Sequence, residues 1–590
     1  MSQISLVFQM IWSYYVYMYI AVVPNRNSPP AVLLREGWRE GKKTRKRTLA
    51  NLSAWPPAKI ETFRRLLRDE PLASPDDLLT TRQTLPHGHI EAVRAMIGRL
   101  GLDSLIASQR CRERDLVVGM IIQRLLSPCS KLATTRAGQA STLAEALGVE
   151  EASEDDLYQA MDWLRARQER IEKKLAARHL HEGVLVLYDV SSSSYQGHTC
   201  PLAQFGHNRD GDKGLPIIVY GVMTNGAGCP VAVEVYAGNT GDPKTVSDQV
   251  EKLRTRFGLE RVVMVGDRGM LTQPKIDKLQ QQGLGWITAL TSGAIRKLVA
   301  KGALQLSLLD QKNLAEITSP DYPGERLMVC HNPLLEEERA RKRQELLQAT
   351  EQKLIRIAQD VARRKKQLYT AAEIGVKVGK VLGRYKMGKH FECQIGAGTF
   401  TGSRRQEAIE REAKLDGIYV IRTSEPAEPL SAAHTVRSYK RLAEVERAFR
   451  CLEGIDLRVR PIRHRTEERV PAHIFLCLLA YYVEWHLRRA WAPLLFEDEE
   501  RYEARERRDP VLAAQPSASA QAKKHSHQTA DGLPVQSFQS LMAELASRAR
   551  VTYQLKSADA AAPTFTQLPP PTPLQARAYE LIRSFPVAGN

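Results

Sequence analysis

Two runs of the chain, VLVLYDVSSSSY at residues 184–195 and RVVMVGDRGM at 261–270, are apolar until each meets an aspartate, Asp189 and Asp267. Short apolar runs rich in Val and Leu read as buried strands. A carboxylate ending a buried strand costs desolvation free energy unless something pairs with it. The rest of the chain has to supply that partner.

The segment between and after them sets how the two strands meet. GVLVLYD, LPIIVYGVMTN and PVAVEVYAGN read as strands, the last two joined by the hairpin signal NGAGC. DPKTVSDQVEKLRTRFG reads as a helix, RVVMVGD as a strand, QPKIDKLQQQG as a helix and GWITAL as a strand. The order is β-β-β-α-β-α-β: an antiparallel meander, then strands added through helices. In such a sheet the first and fourth strands can lie side by side, so that Asp189 and Asp267 reach one point at the sheet edge. A third acid completes a site for hard divalent cations, which prefer oxygen ligands. Glu446 is the candidate, on the helix SYKRLAEVERAFRCLEGI that follows the strand DGIYVIRTS. Tyr439, Glu446 and Glu453 recur at sevens and share a face, with Leu442 and Arg450 at four-residue offsets and Arg441 and Arg447 flanking.

Bland readings stand beside these. Asp189 alone could cap its strand end through the hydroxyls of Ser191–Ser194 or the backbone, Asp267 could do the same for the turn at Gly269, and Glu446 could pair with Arg450 on a helix surface. GHNRDGDKG, residues 206–214, either binds phosphate or steadies the site through Arg209, Asp210 and Lys213, or is a polar hairpin loop. Asn239 and Asp242 are expected to cap the helix that follows them.

The remaining chain divides around this core. Residues 4–23 are apolar enough to span a membrane by length, but no basic residue precedes them and they are rich in Tyr and β-branched residues. Residues 1–17 are read as an upstream extension with the true start at Met18; a membrane anchor is the alternative. Residues 18–182 form an N-terminal region, first a β unit with the basic stretch REGWREGKKTRKRTL, in which Lys42, Lys43 and Arg45 are candidate phosphate contacts, then helices with Ser153 as a cap. The core occupies 183–290 and resumes at 416–495. Residues 291–415, with a long charged helix from Leu334, read as an insertion, and 496–590 as a low-complexity linker and weakly ordered tail in which TQLPPPTPLQARAYELI can dock weakly. HIFLCLLAYYVEWHLRRAW, from His473, should lie in the core. With 85 Lys and Arg against 67 Asp and Glu, the formal charge is +18, which suits a polyanion such as nucleic acid or merely keeps the protein soluble. Eight cysteines occur singly with no CxxC pair, which argues against a zinc ribbon and fits a reducing cytoplasm.

The order of elements resembles a ribonuclease-H-like fold. Two strand-end aspartates, a long insertion and a helical glutamate resemble the DDE transposases of bacterial insertion sequences. YKRLAEVERAFRCLEGIDLRVRPIRHRTEERVPAHIFLCLLAYYVEW closely resembles the signature region of the IS-four type, in the subgroup close to IS-sixteen-thirty-four. GHNRDGDKGLPIIVYGVMTNGAGCPVAVEVYAGNTGDPKT resembles its first catalytic region. The family signature is Tyr, two residues, Arg, three residues, Glu, six residues, Lys. Tyr439 and Glu446 match it; Leu442 stands at the Arg position with Arg441 beside it, and Glu453 at the Lys position. The resemblance implies an α/β, ribonuclease-H-like catalytic core behind a helical N-terminal region. It also implies Mg²⁺ (or Mn²⁺) ions held by Asp189, Asp267 and Glu446 for DNA cleavage and strand transfer. Tyr439, Arg441, Arg447, Arg450, Arg209 and Lys213 would lie along the DNA. The implied partners are double-stranded DNA (terminal inverted repeats and target) and a second copy in a homodimer, with no membrane, in the cytoplasm at the nucleoid. On that reading Glu453 faces a DNA phosphate and repels it. Rival readings are an end-binding protein without catalysis and a ribonuclease-H-like nuclease without strand transfer.

Overall fold

The apolar runs become neighbouring strands of one mixed sheet. The computed structural model describes residues 17–26, 28–70, 78–209, 211, 214–305, 309–310, 313–556 and 563–586. The upstream extension therefore lies outside the described residues except for Tyr17, as do Asp210 and Lys213.

Two compact units are present. The first runs to Thr84 and includes Arg550–Leu568. It holds an antiparallel meander of Tyr17–Val23, Ala31–Glu40 and Lys43–Asn51, turned at Gly41, whose φ of 61° only glycine adopts without strain. A second small sheet joins Leu79–Pro86, Ala549–Leu555 and Thr564–Gln567.

The second unit, Leu85–Ala549 with the chain from Pro569, carries an eight-stranded sheet. Its spatial order is Leu314–Ile317, Arg326–His331, Ile418–Thr423, Gly285–Ala289, Val263–Val265, Leu185–Ser194, Ile217–Asn225, Pro230–Ala237. The last three form the antiparallel meander expected from sequence. Val263–Val265 and Gly285–Ala289 add in parallel through helices, while Ile418–Thr423 and its neighbours continue antiparallel. The class is mixed α/β. Strands Leu314–Ile317 and Arg326–His331 belong to this sheet although they fall within the stretch read as an insertion. The rest of that stretch has a core of its own, in which Leu347, Leu354 and Val361 of the long helix Pro333–Arg363 meet Ile374, Val378, Phe391 and Phe400.

Helix Arg469–Ala490 is long and apolar enough to cross a membrane by length and composition, but that apolar stretch is wholly buried within the protein. It is the central core helix, as its composition required. Ser153 caps Glu154–Arg165 with a full capping box.

The reading of 496–590 as linker and weakly ordered tail does not describe what forms there. Helices Ala518–Ser526, Phe538–Ala546 and Pro573–Ser584 appear, and Phe538, Leu541, Leu545, Leu574, Ala578 and Ile582 enter the main core. The apolar residues recur at three- and four-residue spacing, which buries a helix face whatever the composition of its flanks.

A buried charge cluster fixes the outer edge of this sheet. Lys252, 3% exposed, pairs with Glu172 (3.1 Å) and Glu234 (2.8 Å), and Glu172, 0% exposed, also accepts from Gln168 and the Val233 amide. Removing one partner of a buried pair leaves an uncompensated charge at a cost of about 3–5 kcal/mol. Lys252→Ala is expected to lose about that much in denaturant unfolding, and Lys252→Met combined with Glu172→Gln to regain most of it. A Lys252→Ala protein as stable as the wild type would show that the cluster is not cohesive.

Candidate active site

Register brings the two aspartates together. Leu185, Val186 and Leu187 pair in parallel with Val263, Met264 and Val265. Asp189 and Asp267 each lie two residues beyond the last pair, Leu187 with Val265, so they sit side by side at the same end of the sheet. Only one of them ends its strand. The Asp189 strand runs on to Ser194 against Ile217–Asn225. Beyond Val265 the other chain turns away, and the Asp267 carbonyl accepts the Met270 and Leu271 amides at 3.0 Å each.

The third acid comes from a helix laid on the Asp189 strand. The stretch expected to be one helix is two, Ala432–Lys440 and Leu442–Glu453, separated at Arg441. The second is amphipathic. Val445, Ala448, Phe449 and Leu452 are buried, Phe449 stands against the Tyr220 ring at 6.0 Å, and Glu446 remains exposed. Asp189, Asp267 and Glu446 line one cleft of about 530 Å³ together with Arg209, Asp242 and Tyr439.

The electrostatics follow from this geometry. Burial pushes the Asp189 carboxyl up to about 6; the Val190 amide (2.8 Å) and the Arg209 guanidinium pull it back, and Asp267 and Glu446 add to the rise. Of the partners expected for Asp189, the backbone amide is the one seen; Ser192 accepts the Arg209 amide, Ser193 meets the Tyr220 hydroxyl, and Ser194 accepts from Asn208. Tyr439 donates to Asp267 at 3.4 Å, and burial followed by the Asp267 charge raises its phenol, so it stays a neutral donor. Arg209 pairs with Asp242 at 2.5 Å across the cleft wall. Asp242 caps nothing with its side chain; it is a fourth acid of the cleft that sequence reasoning assigned to a helix end.

Several expected residues stand elsewhere. Arg441 is bound to Glu506 at 2.8 Å, away from the cleft. Arg447 and Arg450 line a separate cavity with Glu444, Tyr481 and Arg488. Leu442 does line the cleft. Glu453, expected on the face of Glu446 toward DNA, is engaged within the protein. Its carboxylate accepts from the Tyr220 hydroxyl at 2.5 Å and pairs with Arg460 at 3.4 Å. As the last helical residue, it turns toward the sheet. Lys42, Lys43 and Arg45 stand exposed at the hairpin of the first unit, Arg45 paired with Glu40 at 2.9 Å.

The donor set is all oxygen, which suits a hard divalent cation. Among the described residues, the trios of ligand-type side chains with donor atoms within 4.8 Å of one another are His179–Cys229–His486 and Cys451–Asp456–Glu484; neither includes the cleft acids, which are set more widely apart.

A family model described as the transposase DDE domain matches residues 182–483, just over half of the chain and spanning all three acids. The chain belongs to the DDE transposases, enzymes of DNA phosphoryl transfer. A second match, over residues 20–75, is to the N-terminal domain of IS1634 family transposases, which makes it an insertion-sequence transposase close to IS1634. No curated protein matches the chain. Among solved structures, a piggyBac transposase synaptic complex with hairpin DNA aligns over 76% of this chain and 93% of that one, at 10% identity and a TM-score of 0.24. That score is too low to carry an argument.

Asp189 offers a direct test of the cleft's charge balance. Its folded-state value lies above that of an unfolded chain. Its contribution to stability is therefore present below about pH 4 and lost as pH rises through 6. Without divalent ions, Asp189→Asn is expected to raise Tm at pH 8, by a stabilisation on the order of 2–3 kcal/mol, with the difference closing toward pH 4. Equal unfolding temperatures across that range would contradict the burial of this carboxylate.

Proposed function

We propose that Asp189, Asp267 and Glu446 are the catalytic acids of a ribonuclease-H-like core, interrupted between Asp267 and Glu446 by an insertion, and that they hold Mg²⁺ or Mn²⁺. The observation that carries this reading is the matched register of Asp189 and Asp267, with Glu446 brought to the same cleft. The residues fit such ions: burial, with Asp267 and Glu446 nearby, raises the Asp189 carboxyl, and among the described residues the Val190 amide and Arg209 offset that only in part. Asp189, Asp267 and Glu446 would hold such divalent ions, whose chemistry there would be to activate a water or DNA 3′-hydroxyl and to stabilise the leaving oxygen of an in-line displacement.

The chain's own groups do the rest. Tyr439, kept neutral, orients Asp267 by hydrogen bonding. Arg209, anchored by Asp242, offers a guanidinium to a DNA phosphate at the cleft wall. The exposed Lys42 and Lys43 and the basic hairpin around Arg45 suit phosphate contacts in an N-terminal end-binding region, and Lys213 is assigned the same role from sequence alone. We assign the protein the terminal inverted repeats of its element and the target DNA as substrates, a homodimer as the working unit on DNA, and the cytoplasm as its location.

The test uses duplexes carrying the inverted repeats that flank the coding sequence, with Mg²⁺. Asp189→Asn and Glu446→Gln are each expected to lower cleavage and strand transfer roughly 10³-fold or more while end binding persists, since the acids serve metal rather than DNA. A wild-type protein that binds the ends but never cuts them would favour the non-catalytic reading. Cleavage without joining would favour the nuclease.

A further inference from the structure

A second cavity, of about 370 Å³, opens beyond the far end of the Glu446 helix. Its walls come from several elements, and Tyr158 of helix Glu154–Arg165 and His473 of helix Arg469–Ala490 form part of them. Helix Arg112–Leu126 supplies Arg124, and the nine-residue helix Lys131–Gln139 begins at it with its Ser130 cap. The chain that follows the Glu446 helix supplies Arg460, Arg463 and His464. No carboxylate lines the cavity.

Lys131 is the telling residue. It is 5% exposed, it lines the cavity, and among the described residues no acceptor bonds its ammonium. Burial, then Arg124, lowers it to about 8, so it still carries its charge at neutral pH. Arg124, 8% exposed, is held among the described residues by the Leu457 and Arg458 carbonyls at 3.4 Å each. Burial, then Lys131 and Arg124, drives His464 down to about 3, leaving it a neutral ring. Buried cations without partners are expensive, and an apolar residue of similar shape at 131 would avoid that cost. A helix N-terminus on the same wall adds a positive dipole end.

We propose that this cavity is a phosphate-binding site, and that it takes a backbone phosphate of the DNA engaged at the acidic cleft. The anion site stands on the cavity alone; its assignment to DNA rests on the transposase reading above. Both sites lie along one face of the sheet. Tyr195, whose hydroxyl donates to the His464 carbonyl at 3.2 Å, is six residues beyond Asp189 on the same side of the chain, about 20 Å away. Arg460 is tethered to Glu453, about 10 Å along the helix from Glu446. A duplex cut at the first site thus has a backbone within reach of the second.

The experiment uses the full chain with inorganic phosphate and with a mixed-sequence DNA duplex. Phosphate, against chloride at equal ionic strength, is expected to raise the Tm of the wild type. Lys131→Met is expected to match or exceed the wild-type Tm without phosphate and to lose the response. Arg463→Gln, an exposed change, should weaken the response without altering the basal Tm. For DNA, the slope of log Kd against log salt should fall by about 0.9 in Lys131→Met, one lost phosphate contact. A lost phosphate response with an unchanged DNA slope would overturn the DNA assignment in favour of a free phosphate or phosphorylated small molecule. A wild type indifferent to phosphate, or a Lys131→Met protein that still responds, would overturn the site. Asp189→Asn should keep the full response, so failure at this cavity and failure at the acidic cleft are separately visible.

Discussion

The parallel pairing of Leu185–Leu187 with Val263–Val265 is the contact on which the rest depends. It is only three residues long, yet it fixes which side chains stand next to each other beyond it. A slip of one residue would turn one of the two aspartates to the opposite face of the sheet. The paired segments, Leu185–Leu187 and Val263–Val265, are apolar and largely buried, which holds them in the sheet interior. The acids then share a cleft in which burial above all, and the neighbouring Asp267 and Glu446 to a lesser degree, raises the Asp189 carboxyl.

Bringing Glu446 to that cleft is a separate problem, solved from the C-terminal side. The helix that carries it begins just after Arg441, and the chain from Arg501 to Leu512 straps this junction. Arg501 and Arg505 both reach the buried Glu444, at 2.6 and 2.8 Å. Glu506 takes Arg441, and Lys440 donates to the Val511 and Leu512 carbonyls. The side of the helix away from the cleft is thus pinned by ion pairs while its apolar side lies on the sheet. The segment beyond residue 496 therefore bears on the geometry of the acids although it contributes none of them.

Much of this was legible in the sequence. Apolar runs of strand length, a hairpin signal and two intervening helices gave the meander and the parallel additions, because period and length alone decide those elements. The convergence of Asp189 and Asp267 followed from that order. What escaped was decided by long-range contacts. The break at Arg441 has no local cause, since Lys440 and Arg441 are good helix formers; anchors from residues 506–512 impose it. Glu453 shares a helical face with Glu446 by period, but at the helix end its carboxylate turns to Tyr220 and Arg460, and Arg460 brings positive charge there instead. Of the three C-terminal helices, the last lies in TQLPPPTPLQARAYELI, legible only as a weakly docking segment, and the other two were hidden by Pro-, Ser- and Ala-rich flanks, although FQSLMAELA carries the apolar spacing of a packed helix. Asp242 sits in a motif that reads equally well as a helix start, and only the fold shows Arg209 reaching it.

The central claim is that three carboxylates from two strands and a helix form one cation-holding centre. Anomalous diffraction from crystals soaked in Mn²⁺ tests it most directly, because it locates the ion without reference to activity. The account predicts anomalous peaks in the cleft between Asp189, Asp267 and Glu446, absent from crystals of Asp189→Asn. Mn²⁺ bound instead at Cys451, Asp456 and Glu484, with the cleft empty, would contradict it.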